Sequence, residues 1–484
     1  MKTAVQPTRE QVLRRFSEAF IKVAPSRFSQ SLRDDLGSEP VGVVRPQDRE
    51  QLHECLRVAR LLNCPIVPMG AGTALCVGNP LQSGFLVIDL GALDRVIEYS
   101  QADLVVTAQA GMRFLDLQRH LAEHGQWLPV EPPDAERASI GGMVGAAATS
   151  LLAHAHGTLR NHLLGIQVVH PDGQVTKAGG RVVKNVAGYD LMKLYHGSLG
   201  TLALIEQATL RARPLPEHDV LVCGRLRRDP LQAPASDSRI STSPDLMRCH
   251  ARLIEPSLNV TSAHLLWSPA GDSLAGVRAV TSGTTIEGGP LLLVRLLGAE
   301  AAVEVQATPV RALAAEFADD LQQHLIRTSE RLSRPPALRA LEDGFSRGDE
   351  PCLLQLKISC VPSTMSAVLQ CLRSSAFVPP ATDRALWSMT LDLLRGLFFV
   401  KLQKVEDDRG RLAADLRSLR ERLTAAGAVL SIPCVPPSMR GKIPFAEIDP
   451  QVRGLHERIK KALDPEGIFS PGRMLDPDPT RNAG

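Results

Sequence analysis

The sequence has few aromatic residues, no long apolar run and no paired cysteines, and each absence argues against a class of protein. Aromatic residues make up only 4% of the chain, so stacking platforms for single-stranded nucleic acid are not expected. No stretch has the roughly 18 consecutive apolar residues of a membrane-spanning helix. The nine cysteines include no Cys-x-x-Cys pair, which argues against iron–sulfur and zinc-ribbon sites. Because the amino terminus lacks the apolar core of a signal peptide, we expect reduced thiols in a cytoplasmic protein.

The remaining composition is that of an ordinary globular protein. Hydrophobic residues make up 44% and charged residues 22% of the 484 residues, a length that is enough for two or three domains. The formal net charge of +3 is small, and the 55 basic residues are scattered along the chain. This charge distribution gives no reason to expect a nucleic-acid partner.

A short glycine-rich stretch at 67–74, Val-Pro-Met-Gly-Ala-Gly-Thr-Ala, follows an amphipathic helix and a short apolar strand. Gly70 and Gly72 allow a tight turn that exposes backbone N–H groups, and such a nest binds phosphate oxygens. Thr73 adds a hydroxyl donor. A plain strand–helix connector has the same composition, so this stretch indicates a phosphate site only together with others.

Two later stretches are suited to the same ligand. Residues 139–148 read Ser-Ile-Gly-Gly-Met-Val-Gly-Ala-Ala-Ala, and their small side chains would let a large, flat molecule approach the start of a helix. Tight helix–helix packing is the alternative explanation. Residues 181–205 contain a loop and a second glycine turn that enters a strand. Lys184 in this loop is suited to a phosphate or a developing flavin anion, with a solvated loop lysine as the alternative.

Five motifs follow one another along the chain. They are Pro-x-Gly-x-Gly-Thr at 68–73, Ser-Ile-Gly-Gly at 139–142, Gly-Thr-x-Arg at 157–160, Val-Lys-Asn-Val-Ala-Gly-Tyr-Asp at 183–190 and Gly-Ser-x-Gly-Thr-Leu at 197–202. In this order they resemble the FAD-binding domain of the vanillyl-alcohol oxidase / p-cresol methylhydroxylase superfamily, and most of all the FAD-binding E subunits of bacterial glycolate oxidases. The carboxy-terminal stretch 459–474 resembles the closing segment of the same superfamily, which returns to the flavin domain.

The resemblance implies an α+β fold with a two-subdomain FAD-binding domain of the p-cresol methylhydroxylase (PCMH) type, an α+β cap domain and a carboxy-terminal return segment. A Rossmann fold is not expected, because the Gly-x-Gly-x-x-Gly fingerprint is missing near a first βαβ unit. We expect four regions: a helical extension at 1–37 with a helix over 8–23, the FAD-binding domain at 38–216, a cap with Pro/Ser-rich insertions at 217–445, and the return segment at 446–484.

The resemblance also implies which residues bind the cofactor. The pyrophosphate would be wrapped by Pro68, Met69, Gly70, Ala71, Gly72, Thr73 and Ala74. The pyrophosphate and flavin would lie along Ser139, Ile140, Gly141, Gly142 and Gly145. Gly157 and Thr158 would approach the isoalloxazine ring, and the adenosine side would be held by Gly200, Thr201 and Ile205.

This chain departs from the superfamily pattern at positions that bear on flavin attachment, metal binding and catalysis. Covalent members often carry His or Cys at the glycine turn, where this chain has Met69 and Ala71, so noncovalent FAD is expected; Cys76, just beyond, is a weak exception. Catalytic hydroxy-acid dehydrogenases often have a metal-binding His-x-Gly-Asp-Gly-Asn-x-His segment, which is missing here. His154 and His156 lack a third ligand nearby, so no metal site is expected. No catalytic residue is identified.

The sequence therefore predicts a glycolate-oxidase-like FAD subunit that takes part in the oxidation of glycolate or another small 2-hydroxy acid. Its expected partners are a catalytic flavin subunit and an iron–sulfur subunit, and attachment to the inner face of the cell membrane would come through such partners. Two alternatives stay open: a self-sufficient FAD-dependent 2-hydroxy-acid dehydrogenase, and a non-redox nucleotide-binding module.

Overall fold

The computed structural model describes residues 8–18, 23–24, 29–82, 84–181, 189–231, 244–267, 290–326, 354–378, 387–402, 409–446 and 448–475. The chain divides into two compact units. Unit 1 comprises 1–150, 157–214 and 437–484, and unit 2 comprises 151–156 and 215–436.

Unit 1 contains two main sheets. The first consists of β1 (Val23–Ala24), β2 (Gly42–Val44), β3 (Ile66–Met69) and β4 (Leu86–Asp89) in the order β1-β2-β4-β3. The second consists of β5 (Val96–Ser100), β6 (Val105–Gln109), β8 (Leu163–Val169), β9 (Val175–Gly179) and β10 (Leu204–Arg211) in the order β5-β6-β10-β8-β9. Strands β2, β4 and β3 are parallel, whereas all neighbours in the second sheet are antiparallel. A small ribbon pairs β7 (Gln126–Trp127) with β11 (Arg213–Pro214).

The helices of unit 1 are α1 (Arg9–Glu18), α2 (Ser29–Leu36), α3 (Arg49–Leu61), α4 (Phe114–Ala122), α5 (Ile140–Gly145), α7 (Leu159–His162), α8 (Met192–Tyr195) and α13 (Pro450–Leu463). Helix α3 begins after Asp48, whose carboxylate accepts the Gln51 N–H at 2.8 Å. Its apolar face is buried. The helix connects β2 to β3 in a β-α-β unit, and the chain enters the glycine turn directly after β3. The helix predicted over 8–23 is too long, because α1 ends at Glu18 and Val23 begins β1.

The return segment packs on the strand that precedes the glycine turn. The Ile66 N–H donates to the Ile468 carbonyl at 2.7 Å, and the Ser470 N–H donates to the Ile66 carbonyl at 2.8 Å. Lys460 on α13 donates to the Thr201 carbonyl at 2.6 Å. These bonds fix the carboxy-terminal segment against both of the glycine turns predicted to hold the cofactor.

Unit 2 is built on one antiparallel sheet of eight strands in the order β15-β12-β14-β13-β17-β18-β16-β19. The strands are β12 (His218–Leu226), β13 (Ser262–Trp267), β14 (Leu291–Gly298), β15 (Ala318–Leu325), β16 (Leu354–Ser359), β17 (Trp387–Asp392), β18 (Leu397–Leu402) and β19 (Val429–Cys434). Its helices are α6 (Ala153–His156), α9 (Pro244–Leu253), α10 (Glu300–Phe317), α11 (Met365–Arg373) and α12 (Arg409–Ala425). Across all the described ranges, no helix combines the length and apolar character needed to traverse a bilayer.

Candidate functional site

Unit 1 contains a partly open cavity. It is formed where the turn after β3, helix α5 and the turn before β10 meet. Its lining includes twelve of the residues that the sequence predicts to bind the cofactor: Pro68, Met69, Gly70, Ala71, Gly72, Thr73, Ala74, Gly141, Gly142, Gly145, Gly200 and Ile205. The fold thus brings the three glycine-rich stretches together at one place.

The turn after β3 presents a row of backbone donors. Within the described part of the chain, four of its N–H groups have no hydrogen-bond acceptor: those of Gly70, Gly72, Thr73 and Ala74. Gly72 has φ +79°, the left-handed conformation that lets successive N–H groups converge. The Ala71 N–H is the exception, since it donates to Ser139 Oγ at 3.3 Å. Donors in this arrangement suit an anion such as a pyrophosphate.

Two glycines in this region have no room for a side chain. A Cβ on Gly70 would lie 1.9 Å from Ser139 Oγ, and a Cβ on Gly141 would lie 2.5 Å from the Ala110 Cβ. A Cβ on Gly145 would meet only the end of the Ile205 side chain, at 3.8 Å, and Gly145 lines the cavity. Close packing therefore accounts for Gly141, whereas the bare backbone at Gly145 leaves open space for a ligand.

Three predicted residues support the cavity from outside its lining. Ser139 is buried, and its Oγ accepts N–H groups from α5 and from Ala71, so it joins the helix to the glycine turn. Ile140 is fully buried in the core of unit 1. Thr201 is also buried, and its hydroxyl donates to the Ser198 carbonyl at 2.6 Å.

Two further predicted residues, Gly157 and Thr158, do not line the cavity. Gly157 has φ +80°, and Thr158 forms a capping box with Asn161 at the start of α7. Lys184 lies outside the described residues. A role for these three residues in flavin binding stays a prediction.

Arg473 lines the cavity and was not predicted by the sequence. Its side chain is buried, and Nη2 donates to the Leu75 and Val77 carbonyls at 2.6 and 2.5 Å. Its buried Nη1 has no hydrogen-bond partner among the described residues. Burial, and secondarily the nearby Arg440 charge, lower the pKa of Arg473 to about 10, so the guanidinium is still a cation at neutral pH. Arg473 therefore places a buried positive charge in the cavity wall.

The rest of the lining is apolar and was not among the residues predicted to bind the cofactor. It comprises Val67, Leu75, Leu90, Ala110, Ala146, Leu199 and Ala203. Leu199 has φ +53°, which is unusual for leucine, and its N–H donates to the Gly145 carbonyl at 2.8 Å. These side chains make part of the cavity wall apolar.

The side chains at the glycine turn offer no evident point for covalent attachment. Met69 and Ala71 line the cavity, and neither carries a side chain that forms a flavin bond at these positions in covalent members. Cys76 is buried and is not part of the lining. The donors, the bare backbone and the buried cation together fit FAD.

A possible ligand set for a metal lies in unit 2. Among the described residues, one group of His and acidic side chains has its ligand atoms within 4.8 Å of one another: His218, Glu300 and Glu304. Both glutamates are exposed, and exposed acidic groups commonly cluster without an ion. Neither His154 nor His156 belongs to the group.

Comparisons with known proteins also point to FAD. Residues 40–179 match the family model of the FAD binding domain. The chain is 32% identical over 180 residues to glycolate oxidase subunit GlcD of Bacillus subtilis (strain 168), which covers 37% of this chain and 38% of that protein. It is 28% identical over 451 residues to the mitochondrial D-lactate dehydrogenase [cytochrome] of Arabidopsis thaliana, which covers 90% of this chain and 74% of that protein.

The structure is similar to 4-ethylphenol oxidase from Gulosibacter chungangensis, solved as an isoeugenol complex. The TM-score is 0.69 at 15% sequence identity, and the match covers 99% of each chain. This likeness shows the fold alone. It confirms the predicted α+β fold with a PCMH-type FAD-binding domain, and the family match confirms FAD as the cofactor of the domain.

Proposed function

We propose that this FAD-dependent oxidoreductase oxidises a small 2-hydroxy acid such as glycolate or D-lactate. The similarity over 451 residues to a D-lactate dehydrogenase carries this proposal, because it extends well beyond the FAD-binding domain. The oxidation would be catalysed by this chain itself, with FAD held noncovalently.

The residues of unit 1 supply the binding part of this function. The N–H groups of Gly70, Gly72, Thr73 and Ala74 and the Arg473 guanidinium would hold the FAD pyrophosphate. The bare backbone at Gly142 and Gly145 would let the cofactor approach α5. FAD, when bound, supplies the ring that accepts electrons from the substrate. The apolar side chains of the lining would keep water from the ring.

A second candidate is the one that the sequence favoured, a flavin subunit of a glycolate-oxidase-like complex. The similarity to glycolate oxidase subunit GlcD supports it, although the match spans 38% of that protein's length. In this candidate a catalytic flavin subunit and an iron–sulfur subunit complete the assembly. We place it second because the match to the D-lactate dehydrogenase covers most of this chain.

An anaerobic titration of the FAD-loaded chain separates the candidates. We expect glycolate or D-lactate to bleach the flavin absorbance of the isolated chain, because no second protein would be needed for electrons to reach the flavin. A flavin that stays oxidised with both acids contradicts self-sufficient oxidation. Bleaching that begins only when a catalytic flavin subunit is added would support the complex.

A further inference from the structure

A second partly open cavity lies in unit 2, and every residue of its lining belongs to that unit. It is lined by the end of β12 and the chain that follows, by α9, by β13 and by the end of α10. From β13 the lining residue is Leu265, whereas the next residue, Leu266, packs in a separate cluster with Phe399. Because successive side chains of a strand point to opposite faces, this cavity lies on the face of the sheet away from Phe399.

The buried part of the lining, here called the floor, is apolar. It consists of Leu246, Cys249, Leu265 and Phe317. Burial, and secondarily the nearby Glu316 charge, raise the pKa of Cys249 to about 12, so its thiol is uncharged at neutral pH. An uncharged and mainly aliphatic floor suits a hydrocarbon chain.

The exposed part of the lining includes two arginines that share one carboxylate. Arg228 Nη1 donates to Asp245 Oδ2 at 3.2 Å, and Arg248 Nη1 lies 3.6 Å from Asp245 Oδ1. Arg248 also lies over Phe317, with its Cζ 5.7 Å from the ring centroid. Among the described residues these two guanidiniums have no other acceptor. Two cations thus face one anion here, and most of their N–H donors are available.

The remaining charges of the lining are already neutralised. Arg227 donates to Asp319 at 2.8 Å, and the Glu316 carboxylate accepts from Arg252 at 2.9 Å. Arg252 also donates to Glu255 at 2.5 Å. Around these two arginines there are three carboxylates, so an added anion would be repelled. The positive excess is therefore confined to the two arginines that share one carboxylate.

We propose that this cavity is a second ligand site, which binds a medium-chain aliphatic acid. The acid's carboxylate contacts Arg228 and Arg248, and its hydrocarbon chain lies on the floor. One carboxylate matches the single positive charge in excess, and the two guanidiniums offer charge-assisted hydrogen bonds to both of its oxygens. The site is defined by the side chains of unit 2 and does not depend on the proposed oxidation.

Calorimetry with octanoate and the purified full-length, FAD-loaded chain tests the site. We expect saturable binding that is about 10-fold tighter than that of hexanoate, because octanoate buries two more methylene groups. Acetate should not bind detectably, and 1-octanol, which has the chain but no charge, should bind more weakly than octanoate. Equal affinities for octanoate and 1-octanol would overturn the proposal, as would a chain that binds no octanoate.

Variants of the two arginines test the contact with the carboxylate. Arg228→Met and Arg248→Met are each expected to reduce octanoate affinity by about 3- to 10-fold, a modest loss because both side chains are exposed. The matched control is Arg311→Met, which replaces an exposed arginine of α10 outside the lining. This control should bind octanoate as the wild type does. An equal loss in all three variants would contradict a specific contact.

A variant of the floor tests the position of the hydrocarbon chain. Cys249→Met places additional apolar atoms in the cavity, so we expect octanoate affinity to fall by about 10-fold while the chain melts no lower than the wild type. A folded Cys249→Met chain with unchanged octanoate affinity would contradict the assigned position.

Two further measurements distinguish this site from other places where octanoate could bind. Octanoate should bind equally well with and without FAD, because the lining belongs to unit 2. Binding that disappears when FAD is added would indicate the unit 1 cavity and overturn the proposal. Residues 232–243 lie outside the described residues and join β12 to α9 along the chain. Their replacement by a glycine–serine sequence of equal length should preserve octanoate affinity, and loss of binding would overturn the assignment to the described side chains.

Discussion

Gly145→Leu is expected to weaken FAD binding by on the order of 100-fold while the chain stays folded. The glycine lines the cavity at the end of α5, and a Cβ there would meet only Ile205, at 3.8 Å. A leucine side chain would therefore extend into the space that the cofactor needs, and relieving the overlap would require displacing the ligand or the helix. Flavin fluorescence titration of the apoprotein measures the change.

The matched control is Gly454→Leu. Gly454 also lies in a helix of unit 1, and a Cβ there has no neighbour within 4 Å. The same substitution at this position should leave FAD affinity unchanged. Equal affinities in the two variants would show that the space at Gly145 is not where FAD binds.

Arg473→Met is expected to reduce affinity for ADP, which shares the diphosphate of FAD, by about 10- to 100-fold, and to leave riboflavin affinity nearly unchanged. The reason is that the buried Nη1 lacks a partner among the described residues at the edge of the cavity, whereas Nη2 is occupied by two carbonyls. Methionine keeps much of the volume but none of the donors. Competition of each compound with FAD gives both affinities.

Arg440→Met separates a ligand contact from a structural one. Arg440 also holds this region, since its Nη1 donates to the Asp35 and Cys76 carbonyls at 2.6 and 3.4 Å, but it does not line the cavity. Its loss should lower the melting temperature with little effect on ADP affinity. If both variants lose ADP affinity equally, Arg473 acts by supporting the loop rather than by contacting the diphosphate.

The glycine-rich stretches could be predicted from sequence because their constraint is local. Gly72 has the positive φ of a tight turn with exposed donors, and a pattern of small residues is visible without the fold. Leu90 and Ala203, which also line the cavity, look like ordinary core residues in the sequence. Arg473 is 398 residues away from Leu75, whose carbonyl it binds, so only the folded return segment shows its position.

Some local structures could not be predicted from the sequence because contacts with distant parts of the chain determine them. Asp319 and Asp320 are poor strand formers, yet they lie in β15 because that segment pairs with β12. Arg440 lies in a Pro-Ser-Met-Arg-Gly-Lys stretch typical of a solvated loop. In the structure, however, its guanidinium donates to the carbonyls of Asp35 and Cys76, which are distant in the sequence.

The visible spectrum of the purified full-length chain is the most direct test of the central claim, that the unit 1 cavity holds FAD noncovalently. We expect the absorbance bands of an oxidised flavin, and acid precipitation should release all of it into the supernatant as FAD. A colourless protein that takes up no flavin after incubation with excess FAD would contradict the claim.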